Sequence, residues 1–219
     1  MDSSRGEFIR KLAREEMVGF EIVQQSKHQI TLKEITVIAP EEFDNLIRRA
    51  FFIIKDVMSE LHGTITSQDF SSLPLLIERD ADINKLTDHC RRILYLRGFS
   101  AIEKTPHIYV ITEGFEKIGD MIRDFAKFLL EKDLHKISSD LEKLFVNVLG
   151  YFNLFYELFY DFKLEAMNIV EERRKLFKKQ VREFLRNKRN SAEAEGLLTL
   201  NAAYELIYDL TGPLIAFKS

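Results

Sequence analysis

Breaks are scarce in this chain. Nine glycines and four prolines among 219 residues leave few turn positions, which argues against a many-stranded sandwich and for long helices. Cysteine is nearly absent. The single Cys90 excludes an internal disulfide and points to a reducing cytoplasm, and nothing near Met1 has the basic-then-apolar order of a signal peptide. Neither sign of charge dominates, and a formal net charge of -3 promises no polyanion partner. Uninterrupted hydrophobic runs are missing too. The greasiest stretch, residues 144–162, is broken by Asn147, Asn153, Glu157 and Asp161, each costly in lipid, so it reads as a buried helix and not a membrane span. What remains is a 46% apolar chain rich in helix formers, with enough side-chain volume for a core in one large domain or two small ones.

Three segments follow from the pattern. Residues 1–38 combine a short amphipathic helix around Phe8, Ile9, Leu12 and Met17 with GFEIV and QITLKEI, two strands of a β-hairpin separated by a polar turn. Residues 39–133 read as three helices. The first opens at Pro40 with Glu41 and Glu42, the second runs from Leu73 to Tyr95, and the third is capped by Thr105 with Pro106 in its first turn. Residues 134–219 read as three more. Ser139-x-x-Glu142 and Asn190-x-x-Glu193 have the spacing of capping boxes, and Gly212-Pro213 halts or kinks the last helix. The expected fold is therefore all-α, two successive three-helix units behind a helix and hairpin. Phe115-Glu116-Lys117-Ile118-x-Asp120 also lies over Tyr204-Glu205-Leu206-Ile207-x-Asp209 without a gap, as an internal duplication would have it.

Carboxylates supply the candidate chemistry. Glu113, Glu116, Asp120 and Asp124 recur three or four residues apart, forming one line along a helix, opposite its apolar stripe and hence on its outer surface. On the preceding helix Asp80, Asn84 and Asp88 recur every four residues, flanked by Glu78 and Asp82. Two such ridges on neighbouring helices can share a groove, and oxygen ligands at i and i+4 suit a cation held between helices. Iron, manganese, zinc and magnesium are all conceivable. An ordinary solvated acidic face has the same spacing, so the pattern alone leaves both readings open.

IERDADIN (residues 77–84) and EGFEKIGDMIRDFAK (residues 113–127) resemble the PhoU family of phosphate-signalling proteins. The resemblance covers roughly residues 40–212 and implies tandem three-helix bundles bearing surface metal clusters. Carried over, Asp80 with Asn84 and Glu116 with Asp120 become ligands, with Glu113 and Asp124 beside them, although Asn84 departs from the acid pattern. In the second half Glu205 and Asp209 match, whereas Glu171-Glu172-Arg173-Arg174-Lys175 lacks the companion acid, so that site is expected to be degraded or empty. GFEIVQQSKHQITLKEI resembles the segment before the bundles in archaeal members. The DNA-binding AbrB-like hairpin often found further upstream is not expected, either because the chain is shortened or because this member lacks it.

Other residues read as structural. His28, His62, His89, His107 and His135 have no ligand spacing, Cys90 lies on an apolar face, and the aromatic helix belongs to the core. The fifth helix is strongly basic, with Arg173, Arg174, Lys175, Lys178, Lys179, Arg182 and Arg186 around Val170, Phe177, Val181 and Phe184, a candidate docking face. The leading expectation is a cytoplasmic, non-enzymatic regulator of phosphate uptake and signalling that contacts a phosphate transporter subunit or signalling protein. Homodimerisation and peripheral membrane association fit that picture. A metal-dependent enzyme on the carboxylate site is the second reading, weakened by the lack of any Glu-x-x-His pair. A transcriptional regulator of the AbrB-PhoU type is the third, with direct nucleic-acid binding not expected of this chain.

Overall fold

Apolar spacings of three and four become helices through nearly all the described residues, which in this computed structural model are 3–15, 20–26, 29–34, 42–132, 136–186 and 193–219. The amino-terminal part contains α1 (Ser3–Glu15) and an antiparallel pair, β1 (Phe20–Gln25) with β2 (Ile30–Glu34). Phe20 pairs with Glu34 and Ile22 with Leu32, then Val23 bulges out of register and is exposed. The turn closes through Ser26, whose backbone N–H donates to the Gln29 carbonyl at 2.7 Å while its hydroxyl accepts from the Gln29 N–H at 3.1 Å. Met17, His28, Pro40, Glu41, His135 and Asn190 lie outside the described residues.

The helices that follow are α2 (Phe43–Ser67), α3 (Leu73–Glu78), α4 (Asp80–Arg97), α5 (Thr105–Glu131), α6 (Ser139–Tyr160), α7 (Met167–Arg186), α8 (Ala194–Asp209) and α9 (Thr211–Lys218). Four local expectations need correction. The expected second helix is broken at Arg79 into α3 and α4, and this arginine pairs with Asp56 at 2.7 Å and Glu60 at 2.9 Å on α2. Ser138 rather than Ser139 caps α6. Its extended backbone lets its hydroxyl accept from the Leu141 N–H, as an N-cap requires. Thr105 does not cap α5 either, because its hydroxyl accepts from the Phe99 N–H at 2.8 Å and closes the preceding loop. Gly212-Pro213 does not end the last helix: the break between α8 and α9 falls at Leu210, and the pair lies in the first turn of α9, where proline is tolerated.

Helices α2, α4 and α5 pack on one another, as do α6, α7 and α8, while α5 lies against α8 and α9 and α2 lies against α6. A single hydrophobic cluster runs through both sets. Phe51 on α2 sits at its centre, with ring centroids 4.2 Å from Phe115 and 5.1 Å from Phe159. Two glycines permit the crossing of the sets: a Cβ on Gly114 would lie 2.6 Å from Leu210, and one on Gly196 would lie 2.6 Å from Phe128. Behind them, Tyr204 of α8 is stacked between Tyr151 of α6 at 4.1 Å and Phe177 of α7 at 3.8 Å. Among the described residues no helix is long and apolar enough to cross a membrane.

Candidate functional site

The two carboxylate ridges meet. Gly119 on α5 faces α4, where a Cβ would come within 3.1 Å of Ile83 and 3.4 Å of Asp80 Oδ1, so the missing side chain lets the helices approach. Asp80, in the first turn of α4, is favoured there by the helix dipole. It is carried into the contact and keeps only 8% of its surface exposed. The expectation that the acids face outward therefore holds for the exposed Asp124 but fails for Asp80, and Glu116 and Asp120 are partly buried in the groove.

Arginine occupies the space between the ridges. Arg123 Nη1 donates to Asp80 Oδ2 at 2.7 Å and to Asp120 Oδ1 at 2.5 Å, while its Nη2 reaches Asp124 at 2.9 Å. Arg91 Nη2 contacts Asp88 on its own helix and lies 2.5 Å from Glu116 Oε2 across the groove. Glu113 pairs with Lys117 at 2.8 Å. Asn84 turns its amide nitrogen toward Asp80 Oδ2 at 3.4 Å, so it acts toward that acid as a donor and not as a companion ligand. Asp80 Oδ1 and Asn84 Oδ1 remain buried without a hydrogen-bond donor.

The electrostatics reflect burial more than pairing. Desolvation pushes the Asp80 carboxyl above its ordinary value, with Asp120 adding repulsion and Arg123 opposing both. Desolvation likewise raises Glu116, with Asp88 and Asp120 pushing the same way against Arg91. Burial by itself would lower Arg123, yet its hydrogen bonds to Asp124 and Asp80 hold it above its usual range.

In the second set of helices, Glu205 Oε2 accepts from Arg174 Nε at 3.0 Å and Nη2 at 2.5 Å, and its other oxygen lies 3.4 Å from Lys178 Nζ. Arg174 also lies 3.7 Å from the centre of the Tyr208 ring. Asp209, one turn further along α8, is exposed. The structure thus brings together Asp80, Asn84, Glu116 and Asp120, sets Glu113 and Asp124 at the rim, and pairs Glu205 with Arg174 and Lys178 while Asp209 stays exposed.

Sequence reasoning missed Arg91, Arg123 and Arg174 as members of these sites. Their signal was available: each follows an acid by three residues, in Asp88-x-x-Arg91, Asp120-x-x-Arg123 and Glu171-x-x-Arg174. As placed, the carboxylates suit guanidinium groups better than a resident metal ion, since their oxygens already face fixed cations. Among the described residues no cluster of three or more His, Cys, Asp or Glu is arranged to hold a metal.

The remaining candidates are structural. His89 lies near Glu42 and Arg92, and burial lowers its pKa. Cys90 is fully buried, which pushes its thiol up to about 12 and leaves it inert as a nucleophile. A cleft of about 460 Å³ lies away from the acids, lined by Phe43, Asp44, Ile93, Arg97 and Phe99 among others. No protein-family model matches the chain, and neither does any curated protein or solved structure. The resemblance therefore rests on the residues quoted for it.

Proposed function

We propose that the chain is a non-enzymatic, PhoU-like regulator built of two tandem three-helix bundles. It acts in the cytoplasm by contacting a phosphate transporter subunit or a signalling protein. The observation that carries this reading is the equivalence of the two sets: Glu116 and Glu205 occupy the same place in Phe/Tyr-Glu-x-Ile-x-Asp on α5 and α8, and each meets an arginine from the helix before it. Side chains at such a site that are fixed by ion pairs favour a scaffold over a catalyst, because no unpaired base or nucleophile stands in the groove.

The docking face lies on α7. Lys178 is turned inward to Glu205, which leaves Arg173, Lys175, Lys179, Arg182 and Arg186 as the exposed cations, with Leu176 exposed among them. A partner with an acidic, partly apolar surface complements it. Deleting the gene in its native host and following phosphate uptake tests the regulatory role. Uptake that stays high in phosphate-replete cells is expected, and unaltered repression removes the proposal. Lys179→Glu, Arg182→Glu and Arg186→Glu together should abolish co-purification of the transporter subunit; retained co-purification places the docking face elsewhere.

A further inference from the structure

We infer that Arg91 and Arg174 are two copies of one built-in cation, each closing an acid–arginine–glutamate clamp that occupies the place a bound metal ion would take. The inference stands on geometry and does not rest on the regulatory reading above.

The equivalence extends beyond the glutamates. If Glu116 is matched with Glu205, then Arg91 matches Arg174 and Asp88 matches Glu171. The same register places buried Thr87 and Leu94 opposite buried Val170 and Phe177. In both sets an acid on the middle helix precedes the arginine by three residues, and the arginine crosses to the glutamate at 2.5 Å. Asp88 contacts Arg91 directly; Arg174 is held above its usual range first by its hydrogen bond to Glu205, with Glu171, which accepts from the Tyr208 hydroxyl at 3.2 Å, adding only its field. A further cation lies near each clamp. Beside the first, Arg123 from α5 bridges the neighbouring acids Asp80 and Asp120, and in the second Lys178 from α7 reaches Glu205 itself.

A guanidinium differs from other cationic side chains in what it does here. It does not deprotonate near neutrality, so it does not yield its place to a metal as a neutral imidazole can. It also repels a second cation from the oxygens it touches. Asp80 Oδ1 and Asn84 Oδ1 are left without donors, but one of them is a neutral amide oxygen. Glu116 Oε2, the third buried oxygen of the groove without a hydrogen bond, is already ion-paired with Arg91, and the two that remain fall short of the four ligands of a zinc site or the six of a magnesium site. The asparagine at position 84 and the arginine at position 91 are thus two sides of one arrangement: one acid fewer, one cation more.

Manganese(II) titration of the chelator-treated, dialysed full chain, followed by calorimetry and elemental analysis, is the test. The wild type is expected to take up no stoichiometric metal, and its melting temperature should be the same in chelator and in manganese. Arg91→Met with Arg123→Met frees Asp80, Asp88, Glu116 and Asp120, and that variant should gain manganese binding and melt higher with the metal than without it. Stoichiometric uptake by the wild type that Asp80→Ala, Glu116→Ala and Asp120→Ala together abolish would overturn the inference. A folded double variant that gains no metal also overturns it, reducing the arginines to ordinary ion pairs. Should the double variant fail to fold, the wild-type titration decides together with Arg174→Met, whose gain of uptake over wild type supports the inference and whose lack of it counts against it.

Discussion

At the scale of single residues, Asp80 and Arg123 are the pair on which the groove turns. Asp80 is almost wholly buried and its carboxyl lies above its ordinary value even with Arg123 in contact. A raised native pKa means that the folded chain binds this proton more tightly than the unfolded one. The contribution of Asp80 is therefore full below the unfolded value of 3.8 and declines as pH rises through the native value. Arg123→Met removes the opposing charge and moves the native value higher still. We expect this variant to lose about 2 kcal/mol at pH 7, below the range for fully buried pairs because Arg123 is partly exposed. Part of that loss should return at a second, lower pH as Asp80 takes up a proton. Urea unfolding at the two pH values checks it, and a loss that does not change with pH counts against it. Spacings of three and four made Asp80, Asn84, Glu116 and Asp120 legible in sequence as two facing rows. What filled the space between them was not legible, because the reach of Arg91 and Arg123 depends on an interhelical register set by Gly119.

At the scale of elements, the join between α5 and α6 is held from a distance. Glu193, buried just before α8, accepts from the Ser138 backbone N–H at 2.6 Å and from its hydroxyl at 2.5 Å. The carboxylate therefore sits at the positive end of α6, tying the amino terminus of that helix to that of α8. Glu193→Gln keeps the shape but loses the charge, and should cost about 1 to 2 kcal/mol in urea unfolding. A variant as stable as wild type would show the contact to be incidental. By spacing, Glu193 reads as the far end of a local capping box with Asn190. Local spacing identified a residue suited to a helix terminus, but the terminus it serves is 55 positions away in the chain, which no local pattern reveals. The α3–α4 break was hidden for a related reason: Arg79 reaches Asp56 and Glu60 on another helix.

At the scale of the whole molecule, the two sets of helices share one core, with α5 against α8 as the seam. A Cβ at Gly114 or Gly196 would press on Leu210 or on Phe125 and Phe128. Each alanine substitution is expected to cost about 1 to 3 kcal/mol through overpacking. The wild type and both variants should still melt in one calorimetric transition, with matching calorimetric and van't Hoff enthalpies. Two resolved transitions would mean that the halves fold independently. The helical class was legible from apolar periodicity, whereas the seam was not, since Gly114 and Gly196 look like any other small residues until their neighbours are known.

The chain contains no tryptophan, and Tyr204 is stacked nearly parallel to both Tyr151 and Phe177, with interplanar angles of 8° and 6°. Each ring comes from a different helix. Near-ultraviolet circular dichroism depends on such fixed aromatic packing, so the stack supplies an optical signal of whether α6, α7 and α8 are docked, without any added label.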